Sequence, residues 1–116
     1  MSWIVLEHPD LTEERRQLAV PVQDKLAEVI LALQVAGPRL GRPLVDTLKG
    51  SSYARMKEIR LNVQGAWRFA FAFDEERQAI LLVGANKEGQ SQKLFYRRLI
   101  DTADKRFKDW LDVEES

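Results

Sequence analysis

Between Met56 and Phe73 large apolar residues occupy alternate positions. Ile59, Leu61 and Val63 alternate with Glu58, Arg60 and Asn62, and Trp67, Phe69, Phe71 and Phe73 alternate with Arg68, Ala70 and Ala72. A period of two marks a strand with one buried face, so the pattern predicts strands near 56–63 and 67–73. Both apolar sets share a face only if the loop between them holds an odd number of residues. A three-residue loop of Gln64-Gly65-Ala66, with Gly65 at positive φ, meets that demand. Arg60 then lies opposite Ala70 and Asn62 opposite Arg68, which sets two guanidinium groups close together above small neighbours. Ala79-Ile80-Leu81-Leu82-Val83 is apolar on both sides and predicts a third, interior strand near 79–84.

The flanks read differently. Ser2-Trp3-Ile4-Val5-Leu6-Glu7 predicts a short first strand. Asp10, with Glu13 three residues on, predicts a capped helix start, and Pro21 interrupts that helix or opens a second. Val22, Leu26, Val29, Ile30 and Leu33 then recur at helical spacing until Gly37-Pro38. Residues 37–55 have loop composition and exceed the usual connection length, so they carry function or a short helical turn. A last helix starts near Ser91 and buries Phe95, Leu99, Ala103, Phe107 and Trp110, with 112–116 as a frayed acidic tail. The fold class is α+β: one domain over 1–111, ordered strand, helices, three-stranded antiparallel meander, C-terminal helix. The helical stripes cover the aromatic face, and the Arg60–Arg68 face is left open.

A chain of 116 residues without cysteine has neither a disulfide framework nor thiol chemistry. No apolar run reaches the roughly 20 residues that span a bilayer, and no signal sequence opens the chain, which points to a cytoplasmic protein without membrane partners. The formal net charge of zero conceals segregation. Residues 1–36 hold three basic and six acidic side chains, 37–98 hold twelve and six, and 99–116 hold three and six. A basic middle between acidic ends suits an anion-binding face. No His, Cys or carboxylate cluster has metal-ligand spacing, and no phosphate loop or nucleophile–base pair is present, so neither metal nor cofactor is expected. His8, the lone histidine, reads as a turn residue.

Leu48-Lys49-Gly50-Ser51, Met56-Lys57-Glu58-Ile59-Arg60, Trp67-Arg68, Phe71-Ala72-Phe73-Asp74, Val83-Gly84, Lys87 and Phe95-Tyr96 together resemble the RelE/ParE toxin superfamily. The nearest branch is that of HigB-like and phage-derived toxins, and the likeness covers about residues 38–110. It implies the toxin half of a type II toxin–antitoxin pair, most such toxins being endoribonucleases that cut mRNA on the ribosome. The implied partners are mRNA, the ribosome and an antitoxin, in this branch usually a helix-turn-helix DNA-binding protein. Two alternatives stay open: a ParE-type inhibitor of DNA gyrase that cuts nothing, and an interaction protein that kept the fold without activity.

RNA cleavage through its own 2′-hydroxyl needs a base, charge stabilisation at phosphorus and an acid for the leaving oxygen. Paired guanidinium groups suit the second task. Arg60 and Arg68 match it, and Arg68 falls where the family carries a phosphate-binding arginine. Lys87 resembles the basic residue beside the scissile phosphate, and Tyr96 the aromatic that stacks on a base or assists proton transfer. Tyr96 also reads as a core aromatic beside Phe95. Glu58 stands where some relatives have lysine; it serves as base if Arg60 holds it anionic, or else weakens RNA affinity. Lys49, Arg55, Lys57 and Lys93 are candidate backbone-tracking cations. The nuclease reading requires both guanidinium groups side by side on an uncovered sheet, with no packed helix sealing that surface.

Overall fold

The computed structural model describes residues 2–115. In chain order its elements are β1 (Ile4–Glu7), α1 (Pro9–Arg15), α2 (Val20–Ala36), a 3-10 turn (Gly37–Arg39), β2 (Val45–Thr47), β3 (Met56–Leu61), β4 (Trp67–Phe73), β5 (Gln78–Asn86) and α3 (Gln92–Glu115). The five strands form one sheet in the order β1-β5-β4-β3-β2, in which β1 runs parallel to β5 and every other pair is antiparallel. The expected α+β class and its β3–β4–β5 meander are therefore present. β2 was not anticipated. Its Val45-Asp46-Thr47 lies inside the Gly- and Pro-rich segment, and pairing with Ile59, Glu58 and Lys57 makes it a strand. Edge pairing of this kind overrides local propensity.

Several local expectations shift. His8 caps α1, its Nδ1 accepting from the N–H of Asp10 at 3.1 Å, and Asp10 sits within the first turn. The cap is the residue just before the first helical one, a place that His8 holds, whereas Asp10 already lies inside the helix. Pro21 lies in the first turn of a separate α2, where its missing N–H leaves no gap. Ser91 opens α3, accepting from Leu94 through its side chain and from Phe95 through its carbonyl. The helix continues through Glu115, past the expected fraying point, and Ser116 lies outside the described residues.

Both sheet faces carry apolar clusters. Ile59, Leu61, Phe69, Phe71, Phe73 and Leu81 pack with Val22, Leu26, Val29 and Leu33 of α2. Met56, Ala70, Ala72, Ile80, Leu82 and Val83 pack with Phe95, Leu99, Ala103 and Phe107 of α3. The expectation of an open Arg60–Arg68 face is thereby corrected over most of its extent. Ala70 and Ala72 are each 0% exposed, because small side chains let α3 settle close to the strands.

Candidate active site

The hairpin decides how the charged residues meet. Leu61 pairs with Trp67, so residues 62–66 form a five-residue loop in which Gln64 (φ 49°) and Gly65 (φ 130°) both take the left-handed region. The odd count preserves the shared apolar face, but the register differs by two residues from the expected one. Arg60 lies opposite Arg68, and Glu58 lies opposite Ala70. Two like charges directly across a sheet repel. Glu58 offsets the repulsion, with Oε2 at 3.3 Å from Arg60 Nη1 and Oε1 at 3.8 Å from Arg68 Nε. β2 adds Asp46 in register with Glu58, and Asp46 is itself held by Arg42 at 2.8 Å. Arg42 and then Arg60 add to the field that keeps the Asp46 carboxyl below its ordinary range, the largest effect being its hydrogen bonds from Arg42. Sequence reading overlooked Asp46 because its strand carries no periodic signal.

α3 closes the cluster from above. Tyr96 donates its hydroxyl to Glu58 Oε1 at 2.8 Å, which ties helix to sheet. Burial, then the hydrogen bond to Glu58, pushes the phenol above its usual range, so it stays protonated at neutral pH. Lys87, just past β5, places Nζ 5.9 Å from the centre of the Tyr96 ring. Its ammonium titrates below an ordinary lysine, first through desolvation and then through the charges of Arg68 and Arg60. Glu58, Arg60, Arg68, Lys87 and Tyr96 are thus gathered at one end of the α3 interface.

Exposure within the group is uneven. The Arg60 side chain is 28% exposed, whereas that of Arg68 is 4% and that of Glu58 is 6%. Arg68 Nη1 donates to the Trp67 carbonyl at 2.9 Å, while its Nε is buried without a hydrogen-bond partner. The two guanidinium groups are neighbours, as the nuclease reading requires, yet only Arg60 remains partly uncovered. This narrows the expected floor to a rim formed by Arg60, Lys87 and Tyr96.

Two of the four candidate tracking cations, Lys57 and Arg55, lie away from that rim. Lys57 projects to the α2 side of the sheet, where Nζ reaches Thr47 Oγ1 at 3.4 Å. Arg55 binds the Asp74 carbonyl and lines a cleft of about 520 Å³ beside Tyr53, Phe73, Phe107 and Leu111. That cleft also holds Asp74, Glu75, Glu76 and Glu114, which makes it a poor place for a polyanion. Lys49 is exposed in the loop after β2, and Lys93 is exposed one turn before Tyr96. Among the described residues no group of three or more His, Cys, Asp or Glu is placed to hold a metal ion, and no helix is long and apolar enough to cross a membrane.

Known proteins bear on this geometry. Residues 13–108 match the profile of the family described as phage derived protein Gp49-like. A Mycobacterium tuberculosis protein bearing the toxin name HigB3 is 43% identical over 95 residues, covering 79% of this chain and 82% of its own. Another from the same organism, bearing the toxin name HigB2, is 45% identical over 84 residues, covering 71% of this chain and 41% of its own. The solved structure of a mutant E. coli toxin RelE in the free state superposes with a TM-score of 0.66 at 17% identity, over 91% of this chain and 98% of that one, which is a likeness of fold. The profile spans most of the chain and both relatives bear HigB toxin names, so this chain belongs to the Gp49-like family and is a HigB-type toxin with a RelE-like fold, the toxin side of a toxin–antitoxin system.

Proposed function

We propose that the protein is a ribosome-dependent endoribonuclease that cuts mRNA through attack of a 2′-hydroxyl on the adjacent phosphate. The observation that carries this reading is the meeting of three cations, Arg60, Arg68 and Lys87, around the Tyr96–Glu58 hydrogen bond. Arg60 and Lys87 take the phosphate oxygens at the rim as charge grows on phosphorus. Arg68, beneath them, lies beside Glu58 and contributes positive potential from a dry position. The 2′-hydroxyl proton passes to the Tyr96 oxygen as the Tyr96 proton passes to Glu58, so a neutral phenol relays it to a carboxylate. The new O–P bond forms as the bond to the 5′-oxygen breaks, and the Lys87 ammonium protonates that oxygen. The products are a cyclic phosphate and a free 5′-hydroxyl, with no atom or electron left over. Tyr96 also offers a partly exposed ring on which a base stacks, an interaction of about 1–3 kcal/mol.

Induced expression, with transcript ends mapped and translation measured, tests this. Cleaved transcripts bearing 5′-hydroxyl ends are expected, and growth recovers when an antitoxin, of helix-turn-helix type, is supplied from the adjoining reading frame. Intact transcripts with normal translation would refute it. One observation favours a second reading: Glu58 and Arg68 are enclosed, 5% and 3% exposed, which a gyrase inhibitor that cuts nothing tolerates. Loss of gyrase supercoiling with purified protein, alongside intact transcripts, would select that reading.

A further inference from the structure

β5 carries one residue more than its pairing with β4 uses. From Trp67↔Asn86 to Ala70↔Val83 the two strands keep one register, and from Phe71↔Leu81 to Phe73↔Ala79 they keep another, leaving Leu82 as the extra residue. Leu82 and Val83 both pack in the cluster beneath α3. Beyond them the alternation resumes in a new phase. Gly84 falls under Phe69, where a Cβ would stand 2.2 Å from the ring. Ala85 falls opposite Arg68, and Lys87, two residues on, lies on the same face over Tyr96. Without the bulge, every side chain after Leu82 would project to the opposite face, and Lys87 would point toward the α2 side.

A bulged residue drops out of the ladder, so its buried carbonyl needs a donor from elsewhere. Arg106 of α3 supplies one, with Nη1 2.8 Å from the Leu82 carbonyl. The same guanidinium grips Glu14 of α1 with Nη1 at 2.8 Å and Nη2 at 2.6 Å, and Asp10 lies 3.8 Å from Nε. Its side chain is only 14% exposed, so one group joins α1, β5 and α3 at the bulge.

We propose that Arg106 is a positioning residue: by holding the Leu82 carbonyl it fixes the bulge that turns Lys87 onto the face of Glu58, Arg60, Arg68 and Tyr96. Arg106 touches none of those groups and acts only through the phase of β5. The inference deepens the nuclease reading, but its test involves no RNA, so the two fail separately.

The measurement is an NMR titration of the Lys87 ammonium together with its proximity to the Tyr96 ring, in the full chain. Groups facing Lys87 are Glu58 and Arg60 from β3, Arg68 from β4 and Tyr96 from α3. In Arg106→Met the Lys87 titration is expected to rise toward that of the other lysines, and the Tyr96 contact to be lost. Glu14→Gln keeps the Leu82 bond and leaves both readings unchanged. Deleting Val83 from the Arg106→Met chain removes the need for a bulge while preserving the later alternation, so the Tyr96 contact returns. A folded Arg106→Met chain with Lys87 undisturbed would overturn the proposal, as would absence of recovery on deletion. If Arg106→Met does not fold, Arg106→Lys, which keeps the charge near Glu14 but not the double grip, is read by the same two criteria.

Discussion

The two faces of one sheet are built on opposite plans. Toward α2, β4 presents Phe69, Phe71 and Phe73, which pack in one apolar cluster with that helix. Toward α3 the same strand presents Arg68, Ala70 and Ala72, and buried charge begins where the alanines end. Large rings hold α2 away from the backbone and fill the space themselves. Alanines bring α3 in, so that Tyr96 in its second turn reaches Glu58 on the sheet. The second plan gives up ring packing on β4 and obtains a fixed polar cluster. Its charges are retained because each is paired: Arg60 and Arg68 with Glu58, and Glu58 with Tyr96. Buried ion pairs contribute little net stability, so stability alone does not account for this cluster.

Substitutions on each face sharpen the contrast. The largest expected effect is on the dry face: Phe71→Ala leaves a cavity and destabilises by about 3–5 kcal/mol, read from urea midpoints. Glu58→Gln follows, because Arg60 and Arg68 lose their shared counter-charge. A loss of about 3 kcal/mol is expected together with loss of transcript cleavage. A fully stable Glu58→Gln protein would mean that the arginines do not depend on it. Ala70→Leu should destabilise by about 1–3 kcal/mol through overpacking under α3 and should speed hydrogen exchange in that helix. An equal response in α2 would erase the distinction between the faces.

The smallest effect concerns Lys87. Because its folded-state titration is depressed, the unfolded chain binds more protons between that lowered value and the ordinary lysine value. Stability therefore rises with pH across that window, and the unfavourable contribution is fully present below it. Lys87→Met should raise stability slightly at neutral pH, with the gain vanishing once the window is passed. Urea midpoints for both chains at neutral and strongly alkaline pH check the sign. A gain independent of pH would assign the effect to packing.

Local chemistry alone encodes much of the architecture. Alternation placed β3 and β4, an apolar run placed β5, helical spacing placed α2 and α3, and the odd hairpin loop put Ile59 and Phe69 on one face. Alternation and residue type nominated Arg60 and Arg68, and the resemblance to the RelE/ParE toxins added Glu58, Lys87 and Tyr96, from three separate stretches of the chain. The cap at His8 was missed because a histidine and an aspartate both offer acceptors there, and only geometry chooses between them. β2 was missed because its three residues owe their form to a neighbour in space.

The sequence by itself determined which side chains carry charge and which faces are apolar, since period and composition are properties of the chain alone. Tertiary structure decided the register that sets Arg60 against Arg68, and the close approach of α3 that buries Arg68 and Glu58. It also decided the extra residue in β5 that turns Lys87 toward them. Each of those outcomes depends on contacts between residues distant in sequence, where a shift of one position reverses a face and a side chain as small as alanine admits a helix.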